Sequence, residues 1–163
     1  MKEQQPTADT PSAIHAFWLA YLESLPTDSP EWDEEYFAEA FGDSPEMTEQ
    51  LASLILEGTK TATCSALWDY EADDEPLPLV GEKCILLDGK DAPVCIIEIT
   101  EVEIRPFNQV DARFASDEGE GDRSLGFWRR VHWDFFSRTL AQIGQEPAED
   151  MPLVCERFRV IYP

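Results

Sequence analysis

At Glu57-Gly58 a helical pattern stops and a strand pattern begins, with no linker between them. Upstream, Met47, Leu51, Leu54 and Ile55 recur at helical spacing. Downstream, Ala62, Cys64 and Ala66 alternate with Thr61, Thr63 and Ser65, the period of an extended chain. Glycine suits the left-handed turn that closes a helix, so Gly58 marks the handover. Lys60 sits inside that turn. Its short β-branched neighbours give a long side chain nothing to lie against, so it projects into solvent or into a pocket.

The rest of the chain arranges itself around this point. Residues 1–11 read as a disordered polar tail and 12–163 as a single domain, with an N-terminal helical extension over 12–42 and a core over 43–163. Ile14, Trp18, Tyr21, Leu22 and Leu25 predict a helix from Ser12 to Leu25, ended by Pro26. Pro30 to Phe41 offers a second short helix, closed by Gly42. Asp43-Ser44-Pro45-Glu46 is a strong helix start, with a capping side chain, a first-turn proline and an acid at the positive end of the dipole. After the Thr61 strand come an acidic loop, Asp69–Glu75, and a strand, Cys84–Leu87, that turns at Asp88-Gly89-Lys90-Asp91.

The next strand runs from Val94 to Ile104, with a change of apolar parity that predicts a bulge near residues 100–101. On its apolar side Glu98 follows Val94 and Ile96, either facing a cavity or held in an ion pair. Pro106–Phe114 reads as a helical turn and Ser116–Gly121 as a flexible acidic loop. The longest helix follows from Ser124, with His132 among Trp128, Val131 and Phe135 as a core histidine. A strand from Leu153 to Tyr162 closes the chain. Helices, strands, a helical insertion and a final strand predict an α+β fold: a small mixed β-barrel surrounded by helices.

Composition narrows the function. The net charge of −22 repels nucleic acid and acidic membranes at long range, and double-stranded DNA is not an expected partner. The charge is uneven: residues 1–122 hold 6 Lys and Arg against 29 Asp and Glu (net −23), and residues 123–163 hold 6 against 5 (net +1). Phosphate contact is therefore best sought in the last quarter. No apolar run reaches the roughly 20 residues of a membrane span, and no signal peptide is evident, so a cytoplasmic location is expected. The four cysteines are scattered and there are two histidines. Buried free thiols are the expectation, with no metal site and no cofactor.

Gly58-x-Lys60-x-x-Thr63 carries a resemblance, supported by Val80-Gly81-Glu82, "PVCIIEITEVEIRPF", "DEGEGDRSLGFWRRVHWDFF" and "VCERFRVIYP". Over about residues 30–163 the chain resembles the ASCH family in its longer bacterial form, whose fold is similar to the RNA-associated PUA barrel. The resemblance implies a cleft lined by the signature, including Gly58, Thr61 and Ser65. Some small bacterial members are amidohydrolases of N4-acylated cytidines, and a longer one is a ribonuclease. It implies Lys60, Thr63 and Glu98 as the catalytic set, Glu98 by its place in the strand.

The chemistry of that set constrains Lys60. Serving as a base near neutrality asks for a shift of about three units from ~10.4, or about 4 kcal/mol. Burial pushes in that direction; a nearby carboxylate and the helix C-terminus push the other way. A fixed cation that steadies an oxyanion is at least as natural. Arg123 and Ser124 sit at a helix start where free amides and a cation can hold phosphate, with Arg129 beyond them. Trp68 and Tyr70 can stack on a base. Three functions remain in play: hydrolysis of a small nucleoside amide, binding or cleavage of single-stranded RNA, and non-catalytic ligand sensing.

Overall fold

The computed structural model describes residues 12–163, so the expected tail over 1–11 lies outside the described residues. Five helices and five strands follow one another in the order α1 (Ala13–Glu23), β1 (Tyr36–Glu39), α2 (Pro45–Leu56), β2 (Ala62–Ala66), α3 (Leu67–Asp73), β3 (Lys83–Leu87), β4 (Pro93–Pro106), α4 (Ala112–Glu118), α5 (Leu125–Ala141) and β5 (Pro152–Tyr162). Single 3-10 turns lie at Pro30–Asp33 and Phe107–Gln109. The strands form one mixed sheet in the order β1-β3-β4-β5-β2, with only β1 and β3 parallel. The edge strands β1 and β2 do not pair, so the sheet is not closed and the expected barrel is an open one.

Local chemistry sets the element ends. Ser12, Ser44, Asp111 and Ser124 each cap a helix by accepting an amide three residues on. The longest ladder, β4 with β5, slips register between Ile99 and Glu101, where the parity change predicted a bulge. The hairpin after β3 is held by Asp88, whose Oδ1 accepts from Lys90 N and Ala92 N.

Three buried clusters fill the space around the sheet. α1 packs Trp18, Tyr21 and Leu22 on Ile85, Leu87 and Ile96. α2 places Ala52 and Ile55 against Cys84, Leu86, Cys95, Ile97 and Phe158. On the remaining side α4 and α5 bring Phe114, Trp128, Phe136 and Leu140 to Ala62, Ala66 and Leu153. Phe136 and Leu140 are fully buried, each contributing about 1.5–3 kcal/mol through lost apolar exposure.

Three sequence expectations need correction. Pro30–Phe41 is not a helix: after one 3-10 turn, Tyr36–Glu39 becomes β1 and pairs in parallel with Lys83–Leu86. A short isolated helix is marginal, whereas the free edge of β3 offers a ladder and a place for Tyr36 and Ala38 against the α1 cluster. The expected acidic loop Asp69–Glu75 is largely helical: α3 docks Trp68 on the core and ends at Asp74 in the left-handed region. Ser116–Gly121 is not a flexible loop either. α4 runs to Glu118, and that residue is buried.

Candidate functional site

The turn from α2 into β2 builds the site. Gly58 adopts φ +79°, and both Thr59 N and Lys60 N donate to Leu54 O, so the chain is still turning at Lys60. The strand begins only at Ala62. Lys60 and Thr63 can therefore face one space, which a regular strand would forbid. Both line a cavity of about 220 Å³. Its walls come from the end of β1 (Glu39) with Phe41 beyond it, from α2 (Met47, Leu51), β2 (Thr63–Ala66), α5 (Val131, His132, Phe135, Phe136, Thr139) and β5 (Glu156).

The end of α4 is docked on the signature turn. Thr61 N donates to Asp117 O at 2.8 Å. Gly119 takes φ +74°, and a Cβ there would stand 2.6 Å from Thr59 O, so no other residue lets the two segments meet this closely. The contact drives Glu118 into the interior against Lys60. Lys60 Nζ donates to Glu118 Oε1 at 3.2 Å, to Glu118 O at 3.3 Å and to Glu120 Oε2 at 3.4 Å. Glu118 Oε2 accepts from Trp128 Nε1 and from Cys64 Sγ at 3.6 Å, and lies 3.1 Å from His132 Nε2. His132 Nδ1 is 2.9 Å from Trp128 O, so the ring is fixed at both nitrogens.

These neighbours set the charges. Burial pushes the Glu118 carboxyl up, but Lys60, His132 and the Trp128 hydrogen bond pull it down to about 2. Burial pushes Lys60 down, and Glu118 and Glu120 more than reverse this. His132 follows the same logic, raised by Glu118 against its burial. Lys60 is thus an ammonium and Glu118 a carboxylate, each locked by the other. Burial, then Glu118, holds the Cys64 thiol well above its usual range, which leaves it inert as a nucleophile.

Cys64, Glu118 and His132 place three metal-ligating atoms within 4.8 Å of one another. They do not fit a cation well. Both Glu118 oxygens already hold donors, and the Lys60 ammonium lies 3.2 Å from one of them.

The expected site residues divide into two groups. Lys60, Thr63 and Ser65 line the cavity. Tyr70 lies behind Ser65, and burial raises its hydroxyl to about 12. Glu98 is not brought to Lys60. It stands in register with Lys83 and Arg159, and its carboxylate holds Arg159 at 2.8 Å and Lys83 at 3.4 Å. Of the two readings of Glu98, the ion pair is the observed one. Gly58 and Thr61 shape the turn from its exposed side, and Trp68 packs in the core. Arg123 donates to Ser116 O, Ser124 caps α5, and Arg129 is exposed on α5; none of the three lines the cavity.

The residues that sequence reasoning missed are Glu118, Glu120, Cys64, Glu156 and Glu39, and His132 is more than a core residue. One signal was available. A histidine on the apolar face of a helix, four residues after a tryptophan, demands a buried acceptor, and the acidic run beside it supplies one.

Comparison with known proteins places these features in a family. The ASCH domain profile matches residues 37–162. An ASCH domain structure from Lactobacillus crispatus JV V101 is 38% identical, with a TM-score of 0.86 over 96% of this chain and 98% of that one. A protein structure from Enterococcus faecalis V583 is 38% identical, with a TM-score of 0.79 over 92% of this chain and 88% of that one. A third structure, described as a hypothetical protein, shares 13% identity at a TM-score of 0.53 and is similar in fold alone. No curated protein sequence matches. Among the described residues no helix is long and apolar enough to cross a membrane. With its profile matched from β1 to the end of β5, the chain belongs to the ASCH domain family.

Proposed function

We propose that this ASCH domain recognises a single nucleobase in the signature cavity and hydrolyses a small nucleoside amide of the N4-acylcytidine type. The observation that carries the reading is the lining itself. Lys60 and Thr63 share one space with aromatic walls from Phe41, Phe135 and Phe136, and with the carboxylates Glu39, Asp69, Glu120 and Glu156. Such a lining favours a neutral, hydrogen-bond-donating ring over a polyanion, since carboxylates accept from exocyclic amines and repel phosphate. In this reading Lys60 is a fixed cation held by Glu118, and Glu118 takes the place that sequence reasoning gave to Glu98. The domain acts as one unit over residues 12–163.

The test is direct. Purified protein incubated with N4-acetylcytidine should release cytidine, and Lys60→Met should abolish release. Saturable binding of cytidine without turnover would mark a ligand sensor instead. Neither binding nor turnover would end the nucleobase reading.

A second reading, single-stranded RNA with one base in the cavity, is favoured by the exposed Arg129 and Arg130 on α5, the helix that supplies Val131 and His132 to the cavity. RNA held there should weaken steeply with salt, whereas a nucleoside should not.

A further inference from the structure

Lys60 and Glu118 lock each other's charge, and His132 is held at both ring nitrogens, so none of the three is free to exchange a proton with a substrate. The opposite wall carries two carboxyls, Glu39 and Glu156. In the antiparallel β2–β5 pair, Thr63 stands directly across from Glu156, and both line the cavity. Residues paired this way project to the same face with Cβ atoms about 4.5–5.5 Å apart. We propose that Glu156 is the proton-transfer residue of this cavity, acting on the hydroxyl of Thr63. The inference rests on the amide-hydrolase reading above and deepens it.

The surroundings suit the role. Glu156 is half-buried, and burial, followed by the like charges of Glu39 and Glu82, pushes its carboxyl up to about 7. Tyr70 from α3 and Cys84 from β3 also face it, both themselves held protonated by burial. Glu39 shares the cavity wall and is likewise pushed up to about 7, by burial and then by Glu75, but it lies on β1, and Glu156 is the one that stands across from Thr63. A carboxyl that titrates near the working pH is the form general-base catalysis requires.

The chemistry balances without any outside reagent except water. Glu156 takes the Thr63 proton as Oγ1 bonds to the acyl carbon. The tetrahedral adduct collapses, the acyl C–N4 bond breaks, and Glu156 passes that proton to the departing amine. Glu156 then takes a proton from water as its oxygen bonds to the acyl carbon, the ester C–Oγ1 bond breaks, and Glu156 returns that proton to Thr63 Oγ1 as the carboxylic acid leaves.

The experiment measures kcat and KM for N4-acetylcytidine from pH 5 to 9 in the wild type, Glu156→Gln and Glu156→Asp, with cytidine binding followed in parallel. Wild-type kcat should rise with pH through about 7. Glu156→Gln, whose amide oxygen still accepts a hydrogen bond but takes up no proton, should lose about 100-fold or more in kcat with a much smaller loss in KM and cytidine binding, and Glu156→Asp should recover part of the kcat. A Glu156→Gln variant with wild-type kcat and pH profile overturns the inference while leaving the hydrolase reading intact. A wild type that neither binds nor turns over ends that reading and the inference with it. A ¹³C titration of the Glu156 carboxyl is the check that needs no substrate: a midpoint near the ordinary 4.5 also overturns the role.

Discussion

Among the described residues two lysines are buried, each held by two carboxylates, and their contrast separates a site from a clasp. Lys60 and Glu118 are both 1% exposed at the side chain, and the space beside them is a cavity. Lys83 is almost as buried, at 5%, but its partners Glu34 and Glu98 are 40% and 21% exposed, and none of the three lines the signature cavity. Lys83 joins the chain before β1 to β3 and β4, while Arg159 adds β5 through Glu98. Water can replace the partners of Lys83. Around Lys60 it reaches Glu120, which is 22% exposed, but not Glu118. A buried lysine therefore says little by itself, and what adjoins it decides its use.

Breaking each pair should sharpen that contrast most. Lys60→Met leaves Glu118 buried without its principal cation, a loss of about 3–5 kcal/mol in urea unfolding at neutral pH. Lys83→Met leaves Glu98 paired with Arg159 and frees Glu34 to solvent, costing about 1 kcal/mol or less. Cytidine binding should vanish in the first variant and persist in the second. Equal stability losses would show that the two lysines differ in less than their geometry indicates.

The acid limb of stability tests the same network by a different route. Glu118 is held at about 2 against an ordinary 4.5, so its stabilisation is complete above 4.5 and is lost as pH falls towards about 2. His132 runs in the opposite sense. Its raised value gives stability that is present below the ordinary 6.5 and fades as pH rises through the folded value. Glu118→Gln should flatten the acid limb and remove the His132 contribution with it. Urea midpoints collected from pH 2 to 8 read both effects. A Glu118→Gln variant with an unchanged acid limb would place the pH dependence elsewhere.

How far the sequence could be read follows from which contacts are local. The capped start of α2, its glycine stop and the alternation of β2 are written within a few neighbours, so Lys60 could be placed in the turn and Thr63 in the strand, while their joint signature came from the family resemblance. The bulge near residue 100 was visible for the same reason, as a parity change within one strand. Glu98 was left open between a cavity and an ion pair because parity shows that a carboxylate lies on an apolar face but not what stands opposite it. Lys83 and Arg159 reach it only through the register of β3 and β5. Glu118 was hidden more deeply. A run of acids and glycines has the composition of a solvated loop, and its burial depends on Gly119 meeting Thr59 from 60 positions away in the chain. Glu156 needed the β2–β5 register before it could be set against Thr63.

The two glycines at that junction give the finest comparison, because both have positive φ and only one is crowded. Gly119 at φ +74° has Thr59 O and Lys60 Cα at 2.6 and 3.0 Å from the position of a Cβ. Gly58 at φ +79° has nothing within 4 Å. Alanine at 58 therefore meets only the backbone cost of a left-handed residue, about 1 kcal/mol. Alanine at 119 meets that cost and a backbone clash that must part α4 from the signature turn, about 2 kcal/mol or more in total. The clash also carries Glu118 away from Lys60, so Gly119→Ala should weaken cytidine binding while Gly58→Ala leaves it within about twofold. Thermal unfolding with and without cytidine separates the two effects. If both variants lose binding equally, the glycine that matters is the one that sets the turn, and the docking of α4 is incidental to the cavity.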